Sequence, residues 1–282
     1  MVRVRPLAGE LYGSTVLRMA AFNGICVQRM LGLPRTGCRD AGRVRDWGES
    51  SDHYIRLFPD EPMVAHWVIK GGTLLAYYRG AKADASLARA SAVRAFPRQG
   101  RGLRLCTICF EQDVAQFGTG LWHTVHQLPL THACAYHRSE LRNVAMPEAM
   151  RLPFANDRRN ASCSRAVGRQ LTRLAMAGQA VFEARQEGSE YAQLVRQMRS
   201  FIASAADWDV AGRLCSCVVQ QLNLVPSVDI FSSFIQPWHL TGAIRLFLEL
   251  PEDEVDPLCA TIVLAAIGPQ SLPSIASTII AC

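Results

Sequence analysis

The sequence predicts a mostly α-helical protein in which a small module rich in cysteine and histidine separates an N-terminal helical part from a C-terminal helical bundle. Hydrophobic residues make up 49% of the 282 residues and charged residues 19%, a composition that supports a buried core. Apolar side chains recur at helical spacing near the N-terminus and through the second half of the chain. The cysteine- and histidine-rich module occupies residues 105–141, between these helical regions.

Residues 8–33 are predicted to form two short helices. In the first, ELYGSTVLRMAAFNG, apolar residues share one broad face, and Asn23-Gly24 supplies a stop signal because glycine accepts the left-handed conformation at a helix C-terminus. The second, ICVQRMLGL, ends before Pro34. Two short helices around a tight turn are compatible with a helix-turn-helix, and equally with a plain αα-hairpin.

The stretch between these helices and the module is less regular. Residues 34–52 are rich in Arg, Gly and Asp and are predicted to be a loop, whereas residues 83–96 have the pattern of a helix that Pro97 ends. The basic, glycine-containing run RQGRGLR, residues 98–104, then leads directly into the module.

A polar, proline-containing connector at residues 142–160 is the best candidate for a domain boundary. We therefore expect one domain over residues 1–150, with its helical part at 1–104, and a second over residues 151–282. The second domain is predicted to be helical throughout, with candidate helices in VGRQLTRLAMAGQAVF, YAQLVRQMRSFIA, VAGRLCSCVVQQL, LTGAIRLFLEL and DPLCATIVLAAI. These helices could form a dimerisation bundle or a partner-binding surface.

Two pairs of ligand-type residues lie within the module. Cys106 and Cys109 are separated by two residues, as are Cys134 and His137, with 24 residues between the pairs. Each pair can point at one ion from a tight turn, and four sulfur and nitrogen donors suit tetrahedral Zn²⁺. Four protein ligands fill the coordination shell, so we expect one structural zinc site that contributes folding energy, in a zinc knuckle or zinc ribbon.

Three more histidines in the same window, His123, His126 and His132, could replace His137 as a ligand. His137 is preferred because its spacing from Cys134 repeats that of the first pair. We expect His123 and His126 to lie outside the metal coordination shell and to donate hydrogen bonds to the metal ligands.

The seven other cysteines do not form a convincing disulfide set, because they are scattered and odd in number. Free buried cysteine behaves as a small hydrophobic residue, so a reducing compartment is expected. The first residues lack the apolar core of a signal peptide, and no apolar run of about 18 residues occurs. We therefore expect a cytoplasmic protein.

Positive charge is concentrated before the module. Residues 1–104 contain 17 basic and 8 acidic residues, whereas the remainder contains 13 basic and 16 acidic residues. Most of the basic residues are arginine, which suits bidentate contacts with phosphate or carboxylate. Genome base composition can also enrich arginine, but it does not explain the asymmetry, so an anionic partner is expected for this part of the chain.

Candidate contacts with nucleic acid or a partner protein are Arg18, Arg98, Arg101 and Arg104. The last three, with two glycines among them, form a basic approach to the first cysteine pair, although a solvated loop is an equal alternative. Arg18 lies within the first predicted helix, where a structural ion pair with Glu10 or Asp40 competes with an external contact.

The module also contains a set of other residues in a specific order: Asp113, Phe117-Gly118, Trp122-His123, His126-Gln127, Pro129 and Leu141. The N-terminal segment adds a second set: Pro6, Glu10, Ser14, Leu17, Arg18, Ala21, Asn23 and Gly24. With the two metal-ligand pairs, this combination resembles the zinc region and opening segment of the TniQ/TnsD family of bacterial transposon target-selection proteins. The resemblance covers roughly residues 3–142.

The resemblance implies a non-catalytic adaptor in transposition. Members of the family bind target DNA, or an RNA-guided DNA-binding complex, and recruit the AAA+ ATPase regulator of the transposon, which licenses the transposase. The chain is nearer in length to the short TniQ type than to the long, DNA-reading TnsD type. A bacterial, nucleoid-associated location is implied as well.

Two positions depart from the family pattern. The second ligand pair has Cys134-Ala-Tyr-His137 where the family often has Cys-Pro-x-His, and Asn143, Val144 and Ala145 stand where a further cysteine often follows. The sequence therefore gives no support for a second metal site.

Enzymatic function finds little support in the residues. Glu111 and Asp113 are neighbouring carboxylates, but no nucleophile accompanies them, and the chain lacks a GxxxxGK[ST] or GxSxG motif. We therefore expect neither ATPase nor transposase activity. Two other functions stay open: a zinc-dependent, sequence-specific DNA-binding regulator unconnected to transposition, and a zinc hydrolase that keeps an open ligand position beside His123 or His126.

Overall fold

The structure is a computed structural model that describes residues 2–25, 77, 103–144, 168–186, 188–204, 244–269 and 272. Within these ranges the chain is mostly helical, with two short strands, which confirms the predicted fold class. The contacts divide the chain into one unit of Met1–Gln127 with Glu140–Arg165 and another of Leu128–Ser139 with Ala166–Cys282. The domain boundary near residue 150 stays a prediction.

Several sequence-based expectations fall outside the described residues. They concern the second N-terminal helix, the loop at 34–52, the helix at 83–96, most of the connector at 142–160 and the helix predicted in VAGRLCSCVVQQL. The choice between a helix-turn-helix and an αα-hairpin depends on the first of these.

The first predicted helix is present as α1, Tyr12–Phe22, and it ends before Asn23-Gly24 as expected. Gly24 adopts a φ of 60°, the left-handed conformation that favours glycine. The sequence predicted one apolar face, but every residue from Tyr12 to Ala20 is buried. Polar side chains at buried helical positions need internal partners, so α1 depends on the hydrogen bonds described below.

A two-stranded ribbon closes the cysteine- and histidine-rich module. Strand β1, Leu103–Leu105, pairs antiparallel with β2, Arg142–Val144, so that Leu103 faces Val144. Between the strands lie α2, Thr107–Phe117, and a 3-10 helix, Thr124–Gln127. Helix α2 ends at Gly118, whose φ of 74° is again left-handed.

The 3-10 helix is joined to β1 by one side chain. Gln127 accepts a hydrogen bond from the Arg104 backbone N–H at 2.9 Å and donates one to the Arg104 carbonyl at 2.8 Å. Both main-chain groups of Arg104 are thereby bonded to a single amide, and the position of the 3-10 helix beside β1 is fixed.

Three long helices are described in the C-terminal half: α3, Arg169–Gln186; α4, Gly188–Ser204; and α5, Pro257–Ile267. All three coincide with predicted helices, and residues 244–249 are helical as well. Helix α5 packs against α3 and α4 through an almost wholly apolar sequence. No helix in the described ranges is long and apolar enough to cross a membrane.

Local contacts explain how these helices begin and join. The Asp256 side chain caps α5 by accepting hydrogen bonds from the N–H groups of Leu258 and Cys259 at 2.8 and 3.2 Å. At the start of α4, the buried Tyr191 hydroxyl donates to the Val255 carbonyl at 2.9 Å, and the Arg185 guanidinium lies 4.4 Å from the centre of the Tyr191 ring.

Candidate metal centre

The four residues predicted as zinc ligands lie together. The ligand atoms of Cys106, Cys109, Cys134 and His137 are all within 4.8 Å of one another. The three cysteines are buried, and His137 is partly exposed. The histidine in this group is His137, as the repeated spacing predicted, and not His123, His126 or His132.

The first ligand pair is positioned by the start of α2. Cys106 is the residue immediately before the helix, with extended backbone angles, and its carbonyl accepts the Phe110 N–H at 3.0 Å. Cys109 lies within the first turn of the helix. The N-terminus of a helix carries partial positive charge, which favours the thiolate form that a metal requires.

The second ligand pair sits on a tight turn. The Cys134 carbonyl accepts the Arg138 N–H at 2.9 Å, and the Cys134 N–H donates to the Ser139 carbonyl at 2.8 Å. Arg138 takes a φ of 51°, which lets the chain reverse direction within these few residues. The His137 N–H lies 3.5 Å from Cys134 Sγ, so the turn also directs a backbone donor at the sulfur.

These residues fit a zinc ion. In the turn, Cys134 Sγ and His137 Nδ1 are 3.6 Å apart. Ordinary zinc–sulfur and zinc–nitrogen bond lengths in a tetrahedron place two such ligand atoms about 3.6 Å apart. Three buried thiolates without a cation would carry a large electrostatic cost, which a divalent metal lowers. The cluster could therefore bind a metal, and its donor set suits Zn²⁺.

A chain of polar contacts runs from the cluster through the adjacent histidines. His126 is buried, and its Nε2 lies 3.8 Å from Cys109 Sγ. The rings of His126 and His123 have their centres 5.1 Å apart. His123 Nε2 lies 2.9 Å from Asp113 Oδ2, and the same carboxylate oxygen accepts the Leu121 N–H at 3.1 Å.

The segment that follows α2 also joins α1 to the module. The Leu11 N–H donates to the Trp122 carbonyl at 2.6 Å, and the Trp122 N–H donates to Ser14 Oγ at 3.2 Å. The Thr124 N–H donates to the Gly9 carbonyl at 2.9 Å. The bond from Trp122 gives a hydrogen-bond partner to Ser14, one of the polar residues buried in α1.

The Arg18 guanidinium is bonded to other groups of the protein. Its Nε and Nη2 atoms lie 2.8 and 2.7 Å from the two carboxylate oxygens of Glu10, and Nη2 also donates to the Arg5 carbonyl at 2.9 Å. Arg18 is 6% exposed and Glu10 is fully buried. Of the two roles predicted for Arg18, this geometry favours the structural ion pair with Glu10.

Of the other candidate arginines, Arg104 is the one that the structure describes. It lies on β1 with its side chain partly exposed, whereas Arg98 and Arg101 lie outside the described residues. In the sequence, Asp113 was considered as part of the family resemblance and as a possible acid or base, and its position as the partner of His123 was missed. Its spacing of ten residues from that histidine follows no secondary-structure period, so only the fold brings the two together.

The TniQ family model matches residues 1–141, half of the chain. The chain belongs to the TniQ family. A search of curated proteins found no match. Membership of TniQ implies a transposition-associated role in target selection, and TniQ proteins are generally non-catalytic adaptors. The match includes all four residues of the metal cluster.

Proposed function

We propose that this TniQ protein is a non-catalytic adaptor that selects the target site in DNA transposition. It binds target DNA, or an RNA-guided DNA-binding complex, and recruits the AAA+ ATPase regulator of the transposon. The observation that carries the proposal is the family match over residues 1–141, which spans α1 and the metal cluster together. The hydrogen bonds that join residues 9–14 to Trp122 and Thr124, within the module that holds the cluster, support a single recognition module.

In this proposal the metal is zinc and its role is structural. Cys106, Cys109, Cys134 and His137 supply four ligands, the full shell of a structural zinc site. When bound, the ion would supply folding energy and offset two of the three thiolate charges. The chain's own residues orient it: the first turn of α2 holds one ligand pair and the turn at Cys134 holds the other.

His126 and His123 are proposed to support the ligands from outside the shell. The distance of 3.8 Å from His126 Nε2 to Cys109 Sγ suits an N–H donor to a thiolate. His123 is held by Asp113, the buried carboxylate on α2, and lies against the ring of His126. The two histidines would therefore fix the orientation of Cys109.

We further propose that the basic residues leading into the module contact nucleic acid. Arg98, Arg101 and Arg104 precede the first ligand pair directly, and such residues bind phosphate groups without reading sequence. Arg18 has a structural role instead, because its guanidinium is hydrogen-bonded to Glu10 and stabilises the N-terminal segment.

The adaptor proposal can be tested by a pull-down of the purified protein with the AAA+ ATPase regulator in the presence of ATP, with and without target DNA. The wild type is compared with Cys106→Ser, which removes a ligand, and with Cys259→Ser on α5, which lies outside the cluster. We expect one zinc per chain and regulator binding for the wild type and Cys259→Ser, and loss of both for Cys106→Ser.

Two outcomes would contradict this model. Tight sequence-selective DNA binding without any regulator binding would favour a zinc-dependent DNA-binding regulator. Hydrolytic activity that a chelator abolishes, while the fold survives, would show an open catalytic metal site.

A further inference from the structure

The second ligand pair lies on a segment that belongs with the C-terminal helices. Leu128–Ser139, called here the ligand segment, forms one of the two compact units together with Ala166–Cys282. The ligand segment folds as successive turns between the 3-10 helix and β2. Because turns give a chain little rigidity of their own, the position of the segment depends on the surfaces against which it packs.

Helix α3 meets the ligand segment at Gly178. A Cβ atom at this position would lie 3.6 Å from Thr131 Oγ1 and 3.8 Å from Leu128 Cδ1. The same atom would lie 3.8 Å from Thr261 Cγ2 on α5, and all four residues are buried. Because glycine has no side chain, the backbone of α3 comes close to the ligand segment and to α5 at one point.

A hydrogen bond joins the next residue of α3 to the ligand segment. Gln179 Nε2 donates to the Tyr136 hydroxyl oxygen at 2.5 Å, and the same nitrogen donates to Glu183 Oε1 at 2.8 Å. The Gln179 amide is thereby held between its own helix and the ligand segment. Tyr136 lies between the ligands Cys134 and His137, so the bond restrains the turn that carries both.

The chain between the contact at Gly178 and the first ligand of this pair is buried. Leu130, Thr131, Ala133 and Cys134 are each at most 4% exposed. Closely packed residues transmit a displacement rather than absorb it, so a shift of Thr131 would move Cys134, three positions along the chain. The supporting helices α3 and α5 lie beyond residue 141, where the family match ends.

We propose that α3 positions the second ligand pair of the metal centre, with Gly178 and Gln179 as the positioning residues. Gly178 sets how closely residues 128–131 approach the helix, and Gln179 sets the orientation of the turn that holds Cys134 and His137. This inference rests on the proposed structural zinc site and gives the C-terminal half a role in it. Because such coupling is reciprocal, a bound metal also stabilises α3.

The test measures the zinc affinity of the full-length protein by competition with a chelator, and the absorbance of the cobalt-substituted protein as a report on ligand geometry. Gly178→Leu is compared with Gly178→Ala, whose Cβ meets its neighbours at ordinary van der Waals distances. Gln179→Ala and Tyr136→Phe are measured singly and together. Tyr191→Phe is the stability control, because it removes the hydrogen bond to the Val255 carbonyl, which does not involve the ligand segment.

We expect Gly178→Leu to lower the zinc affinity at least about tenfold and to change the cobalt spectrum, because the larger side chain displaces the ligand segment. Gly178→Ala keeps the wild-type affinity and spectrum. Gln179→Ala and Tyr136→Phe each lower the affinity about twofold to tenfold, the range of one hydrogen bond, and the double variant lowers it no further. Tyr191→Phe unfolds at a lower temperature but keeps the affinity and the spectrum.

Hydrogen exchange provides the reciprocal measurement. Removal of the metal by a chelator should speed the exchange of the backbone amides of α3 around Gly178 in the wild type, because the ligand segment no longer holds that helix from a fixed position. Gln179→Ala should show a smaller difference between the metal-bound and metal-free forms.

Three results would overturn the proposal: a folded Gly178→Leu variant with wild-type affinity and spectrum, additive or absent effects of Gln179→Ala and Tyr136→Phe, or exchange in α3 that does not depend on metal. If Gly178→Leu does not fold, the comparison of Gln179 with Tyr136 decides. A wild type that binds one zinc per chain while the variants have no effect leaves the zinc site standing without α3, whereas a wild type that binds no zinc overturns both proposals.

Discussion

Arg18 and Glu10 form a buried ion pair with two hydrogen bonds of 2.8 and 2.7 Å, and the same arginine holds the Arg5 carbonyl. Arg18→Ala would leave the Glu10 carboxylate buried without its partner. Breaking one side of a buried pair typically costs about 3–5 kcal/mol, so we expect the free energy of unfolding in urea to fall by that amount.

Arg245→Ala is the matched control for this change. Arg245 and Glu249 are 4.0 Å apart, with side chains 76% and 66% exposed, and an exposed pair contributes less than about 1 kcal/mol. Equal losses for the two variants would show that the Glu10–Arg18 pair is not a major support of α1.

His126→Ala should weaken metal binding without removing a ligand. The lost contact is the one between His126 Nε2 and Cys109 Sγ, and loss of such a partner commonly lowers metal affinity about 10–100-fold. Competition with a zinc chelator measures the affinity, and cobalt substitution reports the thiolate ligands by absorbance. His132→Ala is the control, and an equal affinity for both variants would exclude a role for His126.

Gly120→Ala should destabilise the module through a steric clash. A Cβ atom at Gly120 would lie 2.1 Å from Phe110 Cδ2 and 2.2 Å from Phe110 Cε2, and the ring belongs to α2. We expect a loss of about 1–3 kcal/mol, the usual cost of overpacking, measured by urea unfolding. Gly168→Ala, where a Cβ meets nothing within 4 Å, should change stability little. A neutral Gly120→Ala would show that Phe110 moves freely.

Cys259 should resist alkylation in the folded protein. Burial, and to a lesser extent the charge of Asp256, raise the pKa of the Cys259 thiol to about 12. Iodoacetamide at pH 8 followed by mass spectrometry should therefore leave Cys259 unmodified in buffer and modify it in urea, because the thiolate is the reactive form.

The raised pKa of Cys259 also sets the sign of its effect on stability. The Cys259 thiol keeps its proton to a higher pH in the folded state than in the unfolded state. Its contribution to the free energy of unfolding is therefore complete below about pH 9, the ordinary pKa of the thiol. It is lost as the pH rises toward 12. Rapid alkylation of the native protein at pH 8 would contradict both expectations.

Sequence patterns predicted the elements that depend on local spacing. The candidate ligand pairs at Cys106 and Cys134 were predicted because two residues three positions apart on a tight turn can point at one ion, and the helix at 169–186 because its apolar residues follow the helical period. The helix at 257–267 was predicted from a continuous apolar run. The end of α1 was predicted correctly from Asn23-Gly24, whose chemistry is local as well.

Contacts between residues distant in sequence could not be predicted in the same way. Ser14 bonds to Trp122 across 108 residues, and nothing in either segment signals that pairing. The burial of α1 on all sides likewise depends on other parts of the chain, so its sequence predicted only one buried face. For Arg18, the sequence left an internal pair and an external contact open, and the depth at which Glu10 is buried favours the first.

Because β1 pairs with β2, the first and last residues of the module lie next to each other. Leu103 faces Val144, so the chain leaves and returns through neighbouring residues. A change in length anywhere between these strands need not displace what comes before Leu103 or after Val144. All four residues of the metal cluster lie between these strands, so the length of chain that separates them can change while the chain still enters and leaves the module at the ribbon.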